Sequence, residues 1–285
     1  MEKEKSVGAM RRSKEVQVIF PDELKDYMAA NQEGTYTLLD VRQPHEYEEA
    51  HLPGARLVPL PRLADSLGQI DSRKPTIVYC AVGGRSSMAA QMLMHQGFTE
   101  VMHLQGGIDA WEEPTAKGPV GFHLEFVRGG ETPAEIVRMA YRMEAGLKRF
   151  HEEVLSRTEE EKLSNLLRSL VKAEEKHMET VLRLAAVENV GEGDLAEIKA
   201  EAGGDLMEGG GSVGEFLTAN ERFLHSVSGF MELAMMVETQ ALDLYLRMAA
   251  ECRNEATRKV LLAISEEEKG HLAMLGRYMD QEMAG

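Results

Sequence analysis

A motif built from glutamate and histidine occurs twice in the second half of this 285-residue chain. The two copies are separated by a constant offset of 94 residues, and each has the order Glu, 29 other residues, Glu-x-x-His. The six residues are Glu144, Glu174 and His177 in the first copy and Glu238, Glu268 and His271 in the second. Four carboxylates and two imidazoles suit two bridged iron or manganese ions inside a helix bundle. The repeat therefore predicts a two-metal site on paired helices.

The spacing within each copy predicts a helical hairpin that returns the second glutamate to the level of the first. The midpoint of the first copy lies near Glu159, where Thr158 and Glu161 can form a capping box that begins a helix. The midpoint of the second copy is Arg253, and it is followed by Asn254, a good N-cap. Each arm is then about 14 residues, or roughly 21 Å, long. A glutamate and a histidine three residues apart share one helix face.

These glutamates fall on apolar helix faces. Glu144 is flanked at helical spacing by Ala140 and Leu147, and Glu174 is flanked by Leu170. An uncompensated carboxylate on such a face would be costly, and a metal ion would neutralise it. The alternative interpretation is that they are ordinary surface glutamates of an acidic, helical protein. Spacing, turn position and face agree for the whole duplicated set, which favours the metal site.

Composition excludes several classes of partner. The net charge of −16 argues against nucleic acid and anionic membranes. The sequence has no run of 18 apolar residues, so we expect no membrane span. Its first residues lack the apolar core of a signal peptide. The two cysteines, Cys80 and Cys252, predict no disulfide framework and favour a cytoplasmic location.

The two halves of the chain differ in hydrophobic periodicity. Residues 1–114 alternate short apolar runs with helical stretches, which predicts an α/β domain. Residues 115–131 are rich in proline and glycine, as is typical of a linker. Residues 132–285 have helical periodicity and predict an all-α four-helix bundle with one long crossover.

The predicted elements follow from the same periodicity. In the first half, strands are predicted at 16–20, 35–39, 76–79 and 101–104, and helices at 21–30 and 86–96. In the second half, helices are predicted at about 132–156, 159–186 and 255–282, with a short helix around 195–202 and one or two helices over 215–250, broken near Gly229.

A six-residue loop from Cys80 to Arg85 follows a predicted strand and opens a predicted helix. Successive backbone N–H groups in such a loop form an anion nest, and the helix N-terminus adds partial positive charge. Both effects lower the pKa of a thiol. Gly83 and Gly84 permit the tight path, and Arg85 adds a cation. The loop predicts a nucleophilic cysteine that carries an extra sulfur or binds an oxyanion; the alternative is a buried, inert cysteine.

The first half resembles rhodanese domains over about residues 15–112. The resemblance rests on Asp40-Val41-Arg42, His51-Leu52-Pro53-Gly54-Ala55, Cys80 to Ser86, and Leu104 to Trp111, in the family's order. It implies an α/β fold with a central parallel sheet, and sulfur transfer through a persulfide on Cys80. The residues that it implies for the site are the catalytic Cys80, Arg85, Asp40 and Arg42, and the substrate-binding loop Ala81, Val82, Gly83, Gly84 and Arg85.

The resemblance leaves the sulfur donor open. Ala81 and Val82 are uncharged at positions where thiosulfate-using members often carry charge. A protein or low-molecular-weight persulfide is therefore as good a candidate for the donor as thiosulfate.

The second half, about residues 132–283, resembles rubrerythrin and the broader ferritin-like di-iron proteins. By that resemblance Glu174 and Glu268 bridge two metal ions, Glu144 and Glu238 are terminal carboxylates, and His177 and His271 each cap one ion. Tyr245, seven residues after Glu238, is implied as a hydrogen-bond donor to a ligand. The equivalent residue after Glu144 is His151, a departure that alters the surroundings of the ligands. The additional carboxylate that rubrerythrins carry on the third helix is missing here.

Together the two resemblances imply a rhodanese-type sulfurtransferase joined to a carboxylate-bridged di-iron centre that reduces peroxide or performs another redox reaction. The alternative is a sulfane-sulfur relay or sensor whose bundle binds iron or mediates dimerisation without redox catalysis. A metal-free helical scaffold is the third interpretation. The implied cofactors are two iron ions, for which manganese or zinc can substitute. The implied partners are a small-molecule or protein sulfur donor and acceptor, an external electron donor, and a second copy of the chain in a homodimer.

Overall fold

The computed structural model describes residues 15–122, 130–187, 190–200, 205–207 and 211–283. Their contacts divide them into two compact units. The first unit contains residues 15–44 and 56–112, and the second contains residues 45–55 together with the described residues from 113 onward. An α/β part followed by a helical part, as the sequence predicts, is confirmed.

The first unit is built on a five-stranded sheet. Its strands are β1 (Gln17–Ile19), β2 (Thr37–Asp40), β3 (Arg56–Leu57), β4 (Thr76–Tyr79) and β5 (Val101–Leu104). They lie in the order β1-β5-β4-β2-β3, and every neighbouring pair is parallel. All residues of β4 and β5 are buried. This is the pattern of a parallel sheet that is covered on both faces, with β4 at its centre.

The α-helices in the first half of the chain are α1 (Pro21–Ala30), α2 (Pro44–Glu49), α3 (Leu63–Ser66) and α4 (Gly84–His95). Helix α1 begins where the sequence predicts, because Pro21 has a preset φ and the Glu23 side chain accepts a hydrogen bond from the backbone N–H of Phe20. Helix α4 begins two residues earlier than predicted. Gly83, with φ of 102°, turns the chain directly from the cysteine loop into the helix.

The second unit is almost entirely helical. Its helices beyond residue 113 are α5 (Pro133–Arg157), α6 (Glu161–Val187), α7 (Glu192–Ala200), α8 (Val213–Ala219), α9 (Val227–Glu251) and α10 (Glu255–Met283). Helix α5 packs along α6 and α9 packs along α10, and the two pairs contact each other. Short helices α7 and α8 lie in the long connection between the pairs. Within the described ranges, every helix is too short or too polar to span a bilayer.

The two hairpin turns lie where the motif spacing places them, but they are made differently. Asn254 is an N-cap as predicted, since its Oδ1 accepts hydrogen bonds from the backbone N–H groups of Ala256 and Thr257 at 2.9 and 3.2 Å. Thr158 instead ends α5, and its hydroxyl accepts a hydrogen bond from the N–H of Glu160 at 3.3 Å. The turn of the first hairpin is therefore stabilised by a local hydrogen bond between the Thr158 side chain and the Glu160 backbone.

A buried polar cluster joins α9 to the segment 45–55 within the second unit. The carboxylate of Asp243, fully buried on α9, accepts hydrogen bonds from the N–H of Gly54 at 2.9 Å and from Nε of Arg247 at 2.7 Å. Nε2 of His51 lies 3.3 Å from the same carboxylate. Burial raises the pKa of Asp243, but His51, Arg247 and Gly54 outweigh it and leave that pKa below its ordinary value. Asp243 therefore holds the segment as a charged anchor.

Candidate active site and candidate metal centre

Cys80 lies at the carboxyl end of the central strand β4, and α4 begins four residues later. Its side chain is buried, with 1% of the residue exposed. The backbone N–H of Gly83 donates a hydrogen bond to Sγ of Cys80 at 3.1 Å, and Oγ of Ser86 lies 3.7 Å from the same sulfur. The Ser86 hydroxyl donates to the carbonyl of Gly83 at 2.9 Å. The loop thus closes around the sulfur from one side.

Two opposing effects set the pKa of the Cys80 thiol. Burial raises it, because the thiolate loses hydration. Hydrogen bonds from the backbone N–H groups of Ser86, Gly83 and Val82, together with the nearby Ser86 side chain, favour the thiolate and outweigh burial. The pKa of Cys80 is therefore lower than that of an ordinary cysteine, which is the condition for a nucleophilic sulfur.

The segment after β5 fixes the other side of the cysteine loop. The N–H of Ile108 donates to the carbonyl of Cys80 at 2.8 Å, and the N–H of Asp109 donates to the carbonyl of Ala81 at 3.1 Å. Gly107 has φ of 62°, and a side chain there would overlap both of those carbonyl groups. Only glycine permits this approach. The two carbonyls are thereby fixed by hydrogen bonds to the segment after β5.

Asp40 and Arg42 form a buried ion pair at the end of β2. The guanidinium of Arg42 donates to both carboxylate oxygens of Asp40, with the shortest distance 2.6 Å, and the backbone N–H of Arg42 donates to Oδ1 at 2.9 Å. The guanidinium also lies 5.5 Å from the ring centroid of Tyr79, the residue before Cys80. Such a bidentate pair fixes the strand end beside the cysteine loop.

The first copy of the glutamate and histidine motif forms a buried triad. Glu144 comes from α5, and Glu174 and His177 come from α6. One ligand atom from each residue lies within 4.8 Å of the other two. Nδ1 of His177 lies 3.5 Å from Oε2 of Glu144 and 3.4 Å from Oε2 of Glu174. Two oxygens and one nitrogen therefore converge on one point.

The second copy repeats this arrangement with the same atoms. Glu238 comes from α9, and Glu268 and His271 come from α10. Nδ1 of His271 lies 3.0 Å from Oε2 of Glu238 and 3.4 Å from Oε2 of Glu268. The rings of His177 and His271 stack face to face, so the two triads are neighbours in one interior. The structure thus brings all six predicted ligands together in one region.

Burial and crowding perturb these carboxyls. Burial raises the pKa of Glu174 well above its ordinary value, and the charges of Glu238 and Glu144 add to the effect. Burial likewise raises the pKa of Glu268, again with help from Glu144 and Glu238. Burial lowers the pKa of His271, but the carboxylate of Glu238 raises it more, to about 9. In the absence of a metal ion, protons on Glu174, Glu268 and His271 therefore balance the negative charge of the site.

The ligand set fits two metal ions. In the part of the chain that the structure describes, several buried atoms of the triads lack a hydrogen-bond partner: both carboxylate oxygens of Glu174, Oε1 of Glu268, Nδ1 of His177 and Nε2 of His271. Buried polar atoms are normally satisfied, and a cluster of exceptions calls for an ion or ordered water. Oxygen and imidazole donors are those that iron and manganese accept.

Comparisons with known proteins concern the cysteine half of the chain. The family model of the Rhodanese-like domain matches residues 20–114. Residues 20–114 form a rhodanese-like domain. Protein YqhL of Bacillus subtilis is 43% identical over 74 residues, which cover 26% of this chain and 59% of that protein. The probable adenylyltransferase/sulfurtransferase MoeZ of Mycobacterium tuberculosis is 36% identical over 95 residues, 33% of this chain and 24% of its own length. The chain thus spans between about a quarter and about three fifths of these two relatives.

Solved structures match the same region. A rhodanese-like domain protein from Staphylococcus aureus is 26% identical, and the match covers 36% of this chain and 98% of that one with a TM-score of 0.34. A rhodanese with anions from E. coli is 30% identical, and the match covers 29% of this chain and 99% of that one with a TM-score of 0.28.

The remaining predicted residues of the rhodanese-like domain lie in the loop after Cys80 and in the first turn of α4. Ala81 is half-buried and Val82 is 66% exposed, so the loop reaches solvent beside Cys80. Gly84 and Arg85 form the first turn of α4. The contribution of Ser86 to the thiolate was not predicted, although its position in the loop motif is a usable signal.

Two further buried residues of the helical unit stand beside the metal triads. Tyr245 is fully buried, and its hydroxyl lies 3.9 Å from Sδ of Met143; its predicted hydrogen bond to a ligand stays a prediction. His151 is 1% exposed, and its Nδ1 lies 3.5 Å from Oε1 of Glu174. Burial lowers the pKa of His151 to about 4. The sequence signal for both residues is their seven-residue spacing from Glu144 and Glu238.

Proposed function

We propose that the rhodanese-like domain is a sulfurtransferase that carries sulfur as a persulfide on Cys80. The observation that carries the proposal is the hydrogen bond from the Gly83 N–H to the Cys80 sulfur, within a loop that lowers the thiol pKa. A sulfur held in this way is a thiolate at neutral pH more often than an ordinary cysteine, and the thiolate is the attacking species.

The transfer has two displacement steps and no net oxidation. The Cys80 thiolate attacks the sulfane sulfur of the donor, a new S–S bond forms, and the donor leaves with the electron pair of the broken bond. A thiol or other nucleophile of the acceptor then attacks the terminal sulfur and releases the Cys80 thiolate. The N–H groups of Val82 and Gly83 stabilise the anion at each stage, and Arg85 attracts an anionic donor.

The experiment is transfer of sulfane sulfur to cyanide from thiosulfate and, separately, from a low-molecular-weight persulfide. The full chain should gain the mass of one sulfur atom on the peptide that contains Cys80. The Cys80→Ser variant should lose transfer with both donors, and Cys252→Ser should keep it. Transfer that survives Cys80→Ser would contradict the proposal.

We propose further that the helical unit is a ferritin-like, rubrerythrin-type centre for two iron ions. Its support is the convergence of the same three atom types in both copies of the motif, together with unsatisfied buried carboxylate and imidazole atoms. By the sequence resemblance, Glu144 and Glu238 would be terminal ligands, and Glu174 and Glu268 would reach both ions. When bound, the two ions supply one-electron redox steps at adjacent positions, suited to peroxide reduction or oxidation of a sulfur compound.

The chain's own residues would bind the ions and orient the ligands. Apolar side chains from all four long helices form a core in the same helical unit, and its buried residues include Ile136, Tyr141, Val181, Leu244 and Ile264. The protons held on Glu174 and Glu268 must leave when the ions bind, so loading releases protons. Manganese or zinc can occupy the same donors.

The second candidate is a sulfur relay or sensor in which the bundle binds iron without turnover. It is favoured by the cysteine content: the chain has Cys80 and Cys252 only, and these are too few for a four-cysteine iron centre that would deliver electrons. The redox enzyme of the first proposal therefore needs an external electron donor. We also propose that the chain forms a homodimer. A peroxide-dependent change in the ligand-to-metal absorbance of the iron-loaded chain supports the enzyme, and an unchanged spectrum supports the relay.

A further inference from the structure

His151 occupies a special place in the candidate metal centre. It lies on α5, two helical turns after Glu144, and is 1% exposed. Its ring packs against Phe150 and Phe230, with centroids 5.6 and 5.8 Å away. Nδ1 of His151 faces Oε1 of Glu174 at 3.5 Å. Neither atom finds a hydrogen-bond partner elsewhere among the described residues, so the pair is left to each other or to an ion.

The two oxygens of Glu174 have different neighbours. Oε2 lies 3.4 Å from Nδ1 of His177 and belongs to the first triad. Oε1 points to His151. A movement of about 0.5 Å brings Nδ1 of His151 to hydrogen-bonding distance from Oε1. A carboxylate whose second oxygen accepts such a bond is less able to bridge two ions with both oxygens.

The other half of the repeat has a different residue at this position. The offset that relates Glu144 to Glu238 relates His151 to Tyr245. Tyr245 is also fully buried, and its hydroxyl reaches Sδ of Met143 at 3.9 Å. A nitrogen donor therefore stands beside the first triad at the position where the second half has a phenol. The six candidate ligands are therefore the same in both halves of the repeat, whereas His151 and Tyr245 differ.

We propose that His151 is a positioning residue that holds Oε1 of Glu174 and makes the two metal positions inequivalent. The inference rests on the proposed two-metal function and deepens it. Glu174 would then hold an ion at its own triad through Oε2, whereas Glu268 would keep both oxygens available. An ion held by Glu238 and His271 would have one carboxylate oxygen fewer within reach and would bind more weakly. Metal loading is therefore stepwise.

The test is titration of the metal-free full chain with Mn²⁺. Calorimetry measures the binding at each addition, and electron paramagnetic resonance records the state of the bound ions. The wild-type chain should bind two ions with dissociation constants about tenfold or more apart. With one equivalent added, the spectrum should be that of an isolated ion. In His151→Phe, which suits the aromatic surroundings, the weaker ion should tighten and spin-coupled pairs should form at lower loading. His151→Asn keeps a donor nitrogen close to the place of Nδ1 and should behave as the wild type.

His225→Phe is the matched control, since the side chain of His225 is 70% exposed in the same unit. His151→Met is a second apolar replacement, with a side chain that adapts to the cavity, should His151→Phe fail to fold as judged by thermal unfolding. If wild type, His151→Phe and His151→Met each bind two ions with the same ratio of dissociation constants, the proposed role of His151 is wrong. The two-metal proposal would stand in that case. Fewer than two ions on every variant would overturn the two-metal proposal itself.

Discussion

His177 and His271 stack with their ring centroids 3.3 Å apart and their planes 9° apart. These residues come from α6 and α10, which belong to different helical hairpins. Each ring also lies within 3.5 Å of the carboxylates of its own triad. The stack therefore ties the two copies of the repeat together at the level of the ligands. Two metal ions, if bound, would use both imidazoles in their neutral form.

The low pKa of Cys80 is testable through its reactivity. The rate of alkylation of the full chain by iodoacetamide should reach half its plateau at a lower pH than that of glutathione, because the loop favours the thiolate. Ser86→Ala removes one of the stabilising groups and should move this midpoint to higher pH. The measurement is mass spectrometry of the peptide that contains Cys80, with Cys252→Ser as background. A midpoint unchanged by Ser86→Ala would contradict the assignment.

The close approach of Gly107 to the cysteine loop predicts a severe local effect. Gly107→Ala places a side chain on the carbonyls of Cys80 and Ala81, at a φ of 62° that favours glycine. We expect sulfur transfer to fall by about tenfold or more, because a small displacement of the loop misaligns the attacking sulfur. Gly68→Ala, where the added group meets open space, is the control and should keep its activity. Equal activities in the two variants would contradict this account of the loop.

The buried carboxyls predict how the stability of the metal-free chain depends on pH. The pKa values of Glu174 and Glu268 are raised in the folded state, so the folded chain holds protons that the unfolded chain releases above the ordinary value of 4.5. Their contribution to stability is complete below that pH and is lost as pH rises toward the folded pKa. The raised pKa of His271, about 9, acts in the same direction, with its contribution lost as pH rises through that value.

The melting temperature of the metal-free chain should therefore fall as the pH rises from about 5 toward about 9. Glu174→Gln/Glu268→Gln, whose amides stay neutral, should flatten much of this slope. Glu197→Gln/Glu255→Gln is the control, because those side chains are 69% and 68% exposed. A slope that is the same in all three chains would show that the buried carboxyls are ionised when folded.

The anchor at Asp243 predicts a large loss of stability. Asp243→Ala leaves the buried guanidinium of Arg247 without its carboxylate partner, with only the carbonyls of Val120 and Phe122 as acceptors, and the N–H of Gly54 without an acceptor. Breaking a buried pair in this way costs about 3 to 5 kcal/mol of unfolding free energy. Glu197→Ala breaks the exposed pair with Arg138 and should cost under about 1 kcal/mol. Urea unfolding of both variants measures the difference, and similar midpoints would argue against the anchor.

Sequence reasoning located the chemistry of this chain because the relevant spacings are local. The interval from Cys80 to Arg85 determines a strand-to-helix loop, and the interval from Glu174 to His177 determines a shared helix face. The turn near Arg253 followed from the N-cap preference of Asn254. Strand β4 and helix α1 were predicted with the bounds that the structure has, because proline and buried β-branched residues mark them clearly.

What sequence reasoning missed depends on contacts between distant segments. Asp243 lies in an apolar stretch of α9, and only the fold brings His51 and Gly54 to its carboxylate. The spacing of His151 from Glu144 was visible, but the direction of Nδ1 toward Oε1 of Glu174 needed the packing of α5 on α6. Hydrophobic periodicity carries no information on such pairings, since it reports which face is buried and not what lies opposite.

Metal content per chain decides whether the duplicated motif binds two metal ions. Full-length protein is purified without oxygen and analysed for iron, manganese and zinc, with Glu174→Ala/Glu268→Ala beside it. We expect about two ions per chain in the wild type and their loss in the double variant. Metal well below one ion per chain, unchanged by the double variant, would contradict the two-metal proposal and leave Cys80 as the proposed reactive centre.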